Sequence, residues 1–246
     1  MRSQTEKAEA FVALHARPGA FVIPNPWDAG TARLLAAMGF EALATTSLGL
    51  ANMLGTAEVT LDAILENCRT IAEATDLPVS ADLENCGADE PQAAARAIGR
   101  AAEAGAVGGS IEDSTGDPQR SIYDFTLAVE RVQAAVEAAR ALPFPFTLTA
   151  RAENLLWGRN DLDDTIRRLQ AFEAAGADVL YSPGVRDLDT IRTVVAALGK
   201  PFNLVMGFAD PTLTVEQLSA AGVKRITSAA RCRVLHWPPF CKARVR

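Results

Sequence analysis

Short apolar segments alternate along this chain with longer segments in which apolar residues recur every three to four positions. The short segments are rich in Val, Ile and Leu, as in strands buried on both faces of a parallel sheet. The longer segments have the pattern of amphipathic helices, and several end at Gly. The predicted strands are residues 21–24, 42–46, 78–81, 107–111, 146–150, 178–181, 201–206 and 223–227, and the predicted helices lie at about 4–15, 28–38, 60–74, 90–104, 124–142, 161–175, 187–198 and 214–221.

This strand-helix unit repeats eight times, at intervals of roughly 25 to 35 residues. The repeat predicts an α/β fold of the (β/α)8 TIM-barrel class, formed by residues 1–226 as one catalytic domain. A doubly wound open sheet is the alternative, but no Gly-x-Gly-x-x-Gly motif follows the first strand. A chain of 246 residues that is 49% hydrophobic can bury a single core of this size.

Composition excludes several other classes of protein. No apolar run approaches the length of a membrane span, and the N-terminus lacks the apolar core of a signal peptide, so we expect a cytoplasmic protein without membrane contact. Cys68, Cys86, Cys232 and Cys241 follow neither zinc-site spacing nor a compact disulfide framework. The net charge is −6, and the body of the protein is more acidic still, which argues against nucleic-acid binding.

Candidate chemistry begins where the third predicted strand ends. Asp82 and Glu84 follow residues 78–81 in the sequence Ala-Asp-Leu-Glu-Asn. Two carboxylates at this spacing can converge on a hard cation such as Mg²⁺, which binds one or two carboxylates and several waters. The alternative is that the pair only caps the next helix.

Further polar residues follow other predicted strands, including Glu112 with Asp113 and then the basic residue Arg151. The carboxyl ends of barrel strands share one face, where such barrels carry their active sites, so these side chains are expected to meet there. The set comprises Asn25, Ser47, Asp82, Glu84, Glu112, Arg151, Ser182 and Asn203.

The chain resembles the isocitrate lyase and phosphoenolpyruvate mutase superfamily. The resemblance covers most of residues 20–226, in the family's order along the barrel. It is carried by the stretches IPNPWDAGTARLLAAMGFEALATTS, PVSADLEN, GGSIEDSTGDPQRSIYD, FTLTARAEN, DDTIRRLQAFEAAGADVLYSPG and GVKRI.

The resemblance implies a Mg²⁺-dependent lyase, with Mn²⁺ as a possible substitute, acting on a small 2-oxo or 2-hydroxy dicarboxylic acid such as oxaloacetate. The C–C bond would be cleaved via a metal-bound enolate. Asp82, Glu84 and Glu112 would hold the metal, the last two mainly through water. The residues implied as catalytic are Arg151, Ser47 and Glu112, and those implied to bind substrate are Ser47, Leu48, Gly49, Arg151, Asn203 and Trp27.

Each of these residues also has a purely structural interpretation. Glu112 could sit at a helix start, Arg151 could pair with Asp113 or Glu153, and Ser47 could be a helix cap. Trp27 is either a pocket wall or part of the core. We assign Asp28 to capping and His15 to a surface helix without a further role. Cys86 is assigned a bystander role, because no neighbouring His or Lys lowers its pKa.

The chain departs from the family's lyases in the loop after Glu112. Those lyases carry a Lys-Arg-Cys-Gly-His motif there, and phosphonomutases carry Lys-Thr-Asn-Ser, whereas this loop reads STGDPQRSIYD. A Pro-Asp-Gly turn usual before Thr56 is missing, and the loop after Asp82 is about one residue short. Two alternatives therefore stay open: a phosphoenolpyruvate phosphonomutase-like enzyme, and a catalytically inactive barrel that binds a metabolite.

Residues 227–246 do not have the pattern of a barrel's final helix. The segment carries five basic residues, no acid and Trp237-Pro238-Pro239. Back-translation with mostly GC-ending codons, read from the third base, gives LGGALPRFALAAFLQGARE, a small-residue turn and an amphipathic helix. We therefore predict an aberrant basic tail, with the final helix missing through a frameshift near codon 227, and a homo-oligomer where that helix is intact.

Overall fold

The structure is a computed structural model and describes residues 2–206 and 212–228. Eight parallel strands form one sheet in the order β1-β8-β7-β6-β5-β4-β3-β2. The Ala44 N–H donates a hydrogen bond of 3.0 Å to the Pro24 carbonyl, which joins the ends of β1 and β2. The predicted (β/α)8 barrel is thereby confirmed, and the open doubly wound sheet is excluded.

The strands agree with the predicted ones to within a few residues. They are β1 (Phe21–Ile23), β2 (Leu43–Ala44), β3 (Val79–Asp82), β4 (Gly108–Glu112), β5 (Thr147–Arg151), β6 (Val179–Tyr181), β7 (Phe202–Val205) and β8 (Arg225–Thr227).

Helices alternate with the strands and cover the outside of the sheet. In the described ranges they are α1 (Gln4–Ala16), α2 (Ala29–Ala37), α3 (Ser47–Leu54), α4 (Leu61–Glu73), α5 (Pro91–Glu103), α6 (Phe125–Arg140), α7 (Leu162–Ala174), α8 (Leu188–Ala196) and α9 (Val215–Ala220), with a 3-10 turn at Pro118–Arg120. None of these helices is both long and apolar enough to cross a membrane.

Helix α3 is the one helix in this set that the periodicity did not predict. Its signals are local: the Thr46 hydroxyl accepts a hydrogen bond from the Gly49 N–H, and Gly55 ends the helix in the left-handed conformation, at φ 69°. Eight residues are too few for a clear helical repeat of apolar positions.

Two apolar clusters make up the core. The larger lies between the sheet and the surrounding helices. In the smaller, Phe11 and Leu14 of α1 pack with Phe21, Ile23 and Val107. Gly108 permits this packing, since a Cβ there would lie 2.8 Å from the Phe11 ring. Helix α1 therefore packs on the starts of the strands and leaves their carboxyl ends open for a site.

The predicted basic tail, residues 227–246, lies outside the described residues except for Thr227 and Ser228. Both of these are buried, and their hydroxyls donate hydrogen bonds to Asn25 Oδ1, at 2.6 Å and 3.1 Å. The end of β8 is thus joined to the segment that follows β1.

Candidate active site

A cavity of about 500 Å³ opens at the carboxyl ends of the strands. A volume of this size suits a small-molecule ligand. Its charged lining residues are Asp82, Arg151 and Arg225, and the remaining lining is mostly hydroxyl, amide and aliphatic groups.

Arg151 lies at the centre of an acidic cluster, which comprises Asp82, Glu84, Glu112 and Glu153. Its Nη1 is 2.9 Å from Asp82 Oδ1, its Nη2 is 3.2 Å from Glu112 Oε2, and its Nε is 2.9 Å from Glu153 Oε1. Asp82, Glu112 and Arg151 are the last residues of β3, β4 and β5, and these strands are neighbours in the sheet. Strand register therefore brings the three groups together.

Ser47, the first residue of α3, is bound to the same cluster. Its backbone N–H and its hydroxyl both donate to Asp82 Oδ2, at 3.1 Å and 3.0 Å. An anion at a helix N-terminus is favoured by the free N–H groups and the helix dipole. The donors expected to face the substrate thus fix the Asp82 carboxylate, and Thr46, not Ser47, is the helix cap.

The cluster holds more negative charge than Arg151 neutralises. Burial raises the pKa of Glu112 well above its usual range and that of Glu153 to about 7, and the neighbouring carboxylates add to this. The pKa of Glu84 is raised by burial and by Asp82. Crowded, poorly solvated carboxylates of this kind are stabilised by an additional cation.

The donor chemistry of the cluster fits Mg²⁺. It consists of carboxylate oxygens without His or Cys, as a hard cation requires. Across residues 2–206 and 212–228, no three such side chains form a complete ligand cage. Mg²⁺ usually keeps several waters and binds one or two carboxylates directly. Of Asp82, Glu84 and Glu112, only Asp82 lines the cavity.

The structure separates the predicted substrate-binding residues into two groups. Ser47, Leu48, Arg151 and Asn203 line the cavity, and Trp27 and Gly49 do not. A Cβ on Gly49 would lie 2.5 Å from Thr46 Cγ2 and 3.3 Å from Trp27 Cβ. Gly49 therefore allows α3 to pack closely on Trp27, which acts as a packing residue.

Arg225 was not predicted as a site residue, although it lies in the motif GVKRI. It is the first residue of β8, only 4% exposed, and lines the cavity. Its Nε donates to Asn203 Oδ1 at 2.7 Å and its Nη2 to Thr149 Oγ1 at 2.9 Å. Arg at an inward-facing strand position is unusual enough to have signalled a role, because isolated charges are rarely buried.

Tyr181 is a second cavity residue that the sequence did not single out. The Arg151 guanidinium lies over its ring, 4.9 Å from the ring centre, a cation–π contact. Burial raises the pKa of Tyr181 above its usual value, so the hydroxyl stays protonated. Its position as the last residue of β6 was the available signal.

Arg131 of α6 stabilises the loop between β3 and α5 through hydrogen bonds to its backbone carbonyls. The Arg131 side chain is 1% exposed and donates to the carbonyls of Asn85, Ala88 and Asp89, at 2.6 Å for the last two. In this loop, Glu84 and Cys86 adopt left-handed backbone conformations, at φ 49° and 65°. Non-glycine residues rarely do so, and Arg131 stabilises the strained turn beside Asp82.

The loop after β4 folds against the same turn. Arg120 Nη2 is 2.7 Å from Asp89 Oδ2, and the Tyr123 hydroxyl donates to Asp89 Oδ1 at 2.7 Å. Asp113 is not the partner of Arg151, since it pairs with Arg168 at 3.0 Å. The structural partner of Arg151 on its own strand end is therefore Glu153.

Two residues set aside in the sequence analysis have different outcomes. Burial raises the pKa of the Cys86 thiol to about 12, which supports its bystander role. His15 lies on α1, the helix predicted there. Its ring is half-buried, packs edge-on against Phe11 and Phe21, and has a pKa lowered to about 3, first by burial and then by the charge of Arg225.

Comparison with known proteins gives a family match over most of the chain. The family described as phosphoenolpyruvate phosphomutase matches residues 11–235. A crystal structure of a candidate lyase/mutase from Burkholderia cenocepacia J2315 superposes with a TM-score of 0.91 and is 56% identical, covering 98% of this chain and 84% of that one.

Two characterised relatives carry names that describe different reactions. The 2-methylisocitrate lyase of Escherichia coli K12 is 29% identical over 227 residues, or 87% of this chain and 75% of the relative. The oxaloacetate decarboxylase of Bradyrhizobium diazoefficiens is 28% identical over 234 residues, or 92% and 78%. Both names agree with the expected class of reaction at a C–C bond.

Proposed function

This chain belongs to the phosphoenolpyruvate phosphomutase family, and we propose on that premise that it is a Mg²⁺-dependent lyase. The substrate would be a small 2-oxo or 2-hydroxy dicarboxylic acid, with oxaloacetate as the representative. The observation that supports this most is the placement of Asp82 and Arg151, in contact at 2.9 Å, on the wall of one cavity.

In this proposal Asp82 would hold Mg²⁺ directly, and Glu84 and Glu112 through water. The chemistry that the ion supplies when bound is Lewis-acid stabilisation of negative charge on the substrate's oxo oxygen. Ser47 fixes the orientation of Asp82 through two hydrogen bonds. Groups fixed before reaction need no reorganisation during it, and removal of one such donor typically costs about 3 kcal/mol of barrier.

Arg151 would bind and orient a carboxylate of the substrate. Its guanidinium is held in place by Glu112, Glu153 and the Tyr181 ring, so it is positioned before the substrate arrives. The aliphatic side chains of Leu48, Leu156 and Pro183 on the cavity wall would exclude water from the reacting bond.

The loop after β4 favours an oxaloacetate-like substrate over 2-methylisocitrate. Cleavage of 2-methylisocitrate by the family's mechanism uses an acid/base group on that loop, and residues 114–123 contain no Cys, Lys or His. Arg120 in the loop is paired with Asp89. We also propose a cytoplasmic location, Mn²⁺ as a substitute ion, and a homo-oligomer whose assembly depends on the sequence beyond residue 226.

One NMR assay tests the proposal. Turnover of oxaloacetate, phosphonopyruvate and 2-methylisocitrate is measured with Mg²⁺ and with EDTA. After the rate in protein-free buffer with the same Mg²⁺ is subtracted, we expect oxaloacetate to be consumed only with Mg²⁺, and Asp82→Ala to abolish this activity, whereas Asp62→Ala, at an exposed ion pair, leaves it intact. Activity retained in Asp82→Ala would contradict the metal assignment.

The other substrates decide between the alternatives. Turnover of phosphonopyruvate in place of oxaloacetate would favour the phosphonomutase-like function, and turnover of 2-methylisocitrate at a comparable rate would contradict the loop argument. No turnover of any of the three, in a folded protein that binds Mg²⁺, would favour a metabolite-binding barrel without catalysis.

A further inference from the structure

We propose that Arg225, together with Asn203 and Thr149, forms an anion-binding subsite at the inner end of the cavity, and that it receives the second carboxylate of a dicarboxylate substrate. This assignment rests on the proposed function, because it extends the same cavity. It would make Arg225 the residue that distinguishes dicarboxylates from monocarboxylates.

Strand register places the subsite below Arg151. Arg225 is paired in register with Asn203, Asn203 with Tyr181, and Tyr181 with Arg151, across β8, β7, β6 and β5. The Arg225 side chain crosses the barrel interior to Thr149, which lies two residues before Arg151 on β5. Two residues along a parallel strand span roughly 6.6 Å. Both arginines line the same cavity of about 500 Å³, so one small dianion bound there can contact both.

Within residues 2–206 and 212–228, no carboxylate forms an ion pair with Arg225. Its hydrogen bonds go to a neutral amide oxygen and a neutral hydroxyl, and its Nη1 is buried with no hydrogen-bond partner among the described residues. Buried cations in proteins are normally paired, because removing a charge from water is costly. Burial lowers the pKa of Arg225 to about 10, and the charge of Arg151 adds to this effect.

A carboxylate would supply both the hydrogen-bond acceptor that Arg225 Nη1 lacks and the negative charge that its guanidinium lacks. It accepts hydrogen bonds in the plane of a guanidinium and supplies the missing negative charge. Among the described residues that line the cavity, Asp82 is the one acid, and it is already paired with Arg151. Phosphate or chloride could also meet a guanidinium, so the test must distinguish a substrate carboxylate from a free inorganic anion.

Malate and 2-hydroxybutyrate provide the matched pair of probes, since they differ only by a carboxylate in place of a methyl group. Binding is measured by calorimetry in EDTA, so that it does not depend on Mg²⁺ or on turnover. We expect the wild type to bind malate at least tenfold more tightly. Arg225→Gln should lose this preference, Arg225→Lys should keep part of it, and Arg192→Gln, an exposed arginine on α8, should keep all of it.

Equal affinity of the wild type for the two probes, or an unchanged preference in Arg225→Gln, would overturn the subsite. Competition experiments with chloride and phosphate could also overturn the subsite. If these ions compete equally with both probes, and if this competition depends on Arg225, the site binds inorganic anions only. If Arg225→Gln does not fold, an NMR experiment on the wild type tests the subsite instead. In arginine-labelled protein, malate must shift the Nε–H resonance of the Arg225 side chain, and 2-hydroxybutyrate must leave it unchanged.

The same variants separate this inference from the proposed function. Arg225-dependent malate preference in a protein that turns over none of the three candidate substrates would support the subsite and contradict the lyase. Oxaloacetate turnover with unchanged kcat and KM in Arg225→Gln would support the lyase and overturn the subsite.

Discussion

Arg151 and Arg225 both lie on the wall of one cavity, Arg225 buried and Arg151 with its side chain 15% exposed, yet their surroundings are opposite. Arg151, at the end of β5, contacts Asp82, Glu112 and Glu153 within 3.2 Å. In the part of the chain that the structure describes, Arg225, at the start of β8, donates only to Asn203 and Thr149. The outer end of the cavity therefore has excess negative charge, and the inner end has an uncompensated positive charge.

The difference is the physical basis for the proposed binding of a metal ion and an anionic substrate in the same cavity. The pKa shifts at the two ends of the cavity are opposite in direction. Burial and neighbouring carboxylates raise the pKa of Glu112, and burial lowers the pKa of Arg225. Excess carboxylates favour a cation, and an unpaired guanidinium favours an anion.

Replacing Arg151 by Met removes the centre of the acidic cluster. We expect a loss of about 3–5 kcal/mol in the free energy of unfolding, because breaking a buried ion pair leaves uncompensated charge. Oxaloacetate turnover should fall at least a thousandfold. Urea unfolding and the NMR assay measure the two effects, with the exposed Arg69→Met as the matched control. A variant as stable as the control would contradict the central role of Arg151.

Replacing Arg131 by Met releases the turn that carries Glu84. The carbonyls of Asn85, Ala88 and Asp89 lose their buried donor, so we expect a stability loss of about 2 kcal/mol. Mg²⁺ affinity, measured by calorimetry, should fall about tenfold, as is common when outer-shell support of a metal site is removed. Unchanged Mg²⁺ affinity at reduced stability would mean that Arg131 supports the fold alone.

His15 is expected to make stability depend on pH. Its pKa is about 3 in the folded protein and about 6.5 when unfolded, so protonation favours the unfolded state. The contribution is fully present above about pH 6.5 and is lost as pH falls towards 3. Between pH 7.5 and 5.5, the wild type should lose about 1 kcal/mol relative to His15→Phe in urea unfolding. Parallel pH profiles for the two proteins would contradict this.

Replacing Arg225 by Met should have the smallest effect on stability. The loss of two hydrogen bonds is offset by removal of an unpaired buried charge, so we expect a change below about 1 kcal/mol. The pKa of His15 should rise, because the charge of Arg225 lowers it. An NMR titration can measure this readily, since the chain has only His15 and His236. A stability loss as large as that of Arg151→Met would erase the contrast between the two arginines.

Much of the acidic cluster was predictable from the sequence, whereas of the inner subsite only Asn203 was. Asp82, Glu112 and Arg151 each end a strand, and the ends of neighbouring parallel strands share one edge of the sheet. Arg225 begins its strand, so its position alone places it away from that edge. Only the length of its side chain and its reach to Thr149 bring it into the cavity.

Apart from α3, the order of strands and helices could be predicted from the sequence, as could the (β/α)8 class and the family, because period, turn residues and motifs are local properties of the chain. The pairing of charged and polar side chains, in contrast, is visible only in the tertiary structure. Arg131 contacts a loop more than 40 residues earlier, and Arg225 contacts a threonine 76 residues earlier. Such partners depend on how the barrel closes and how its strands are staggered, and local sequence does not encode these distances.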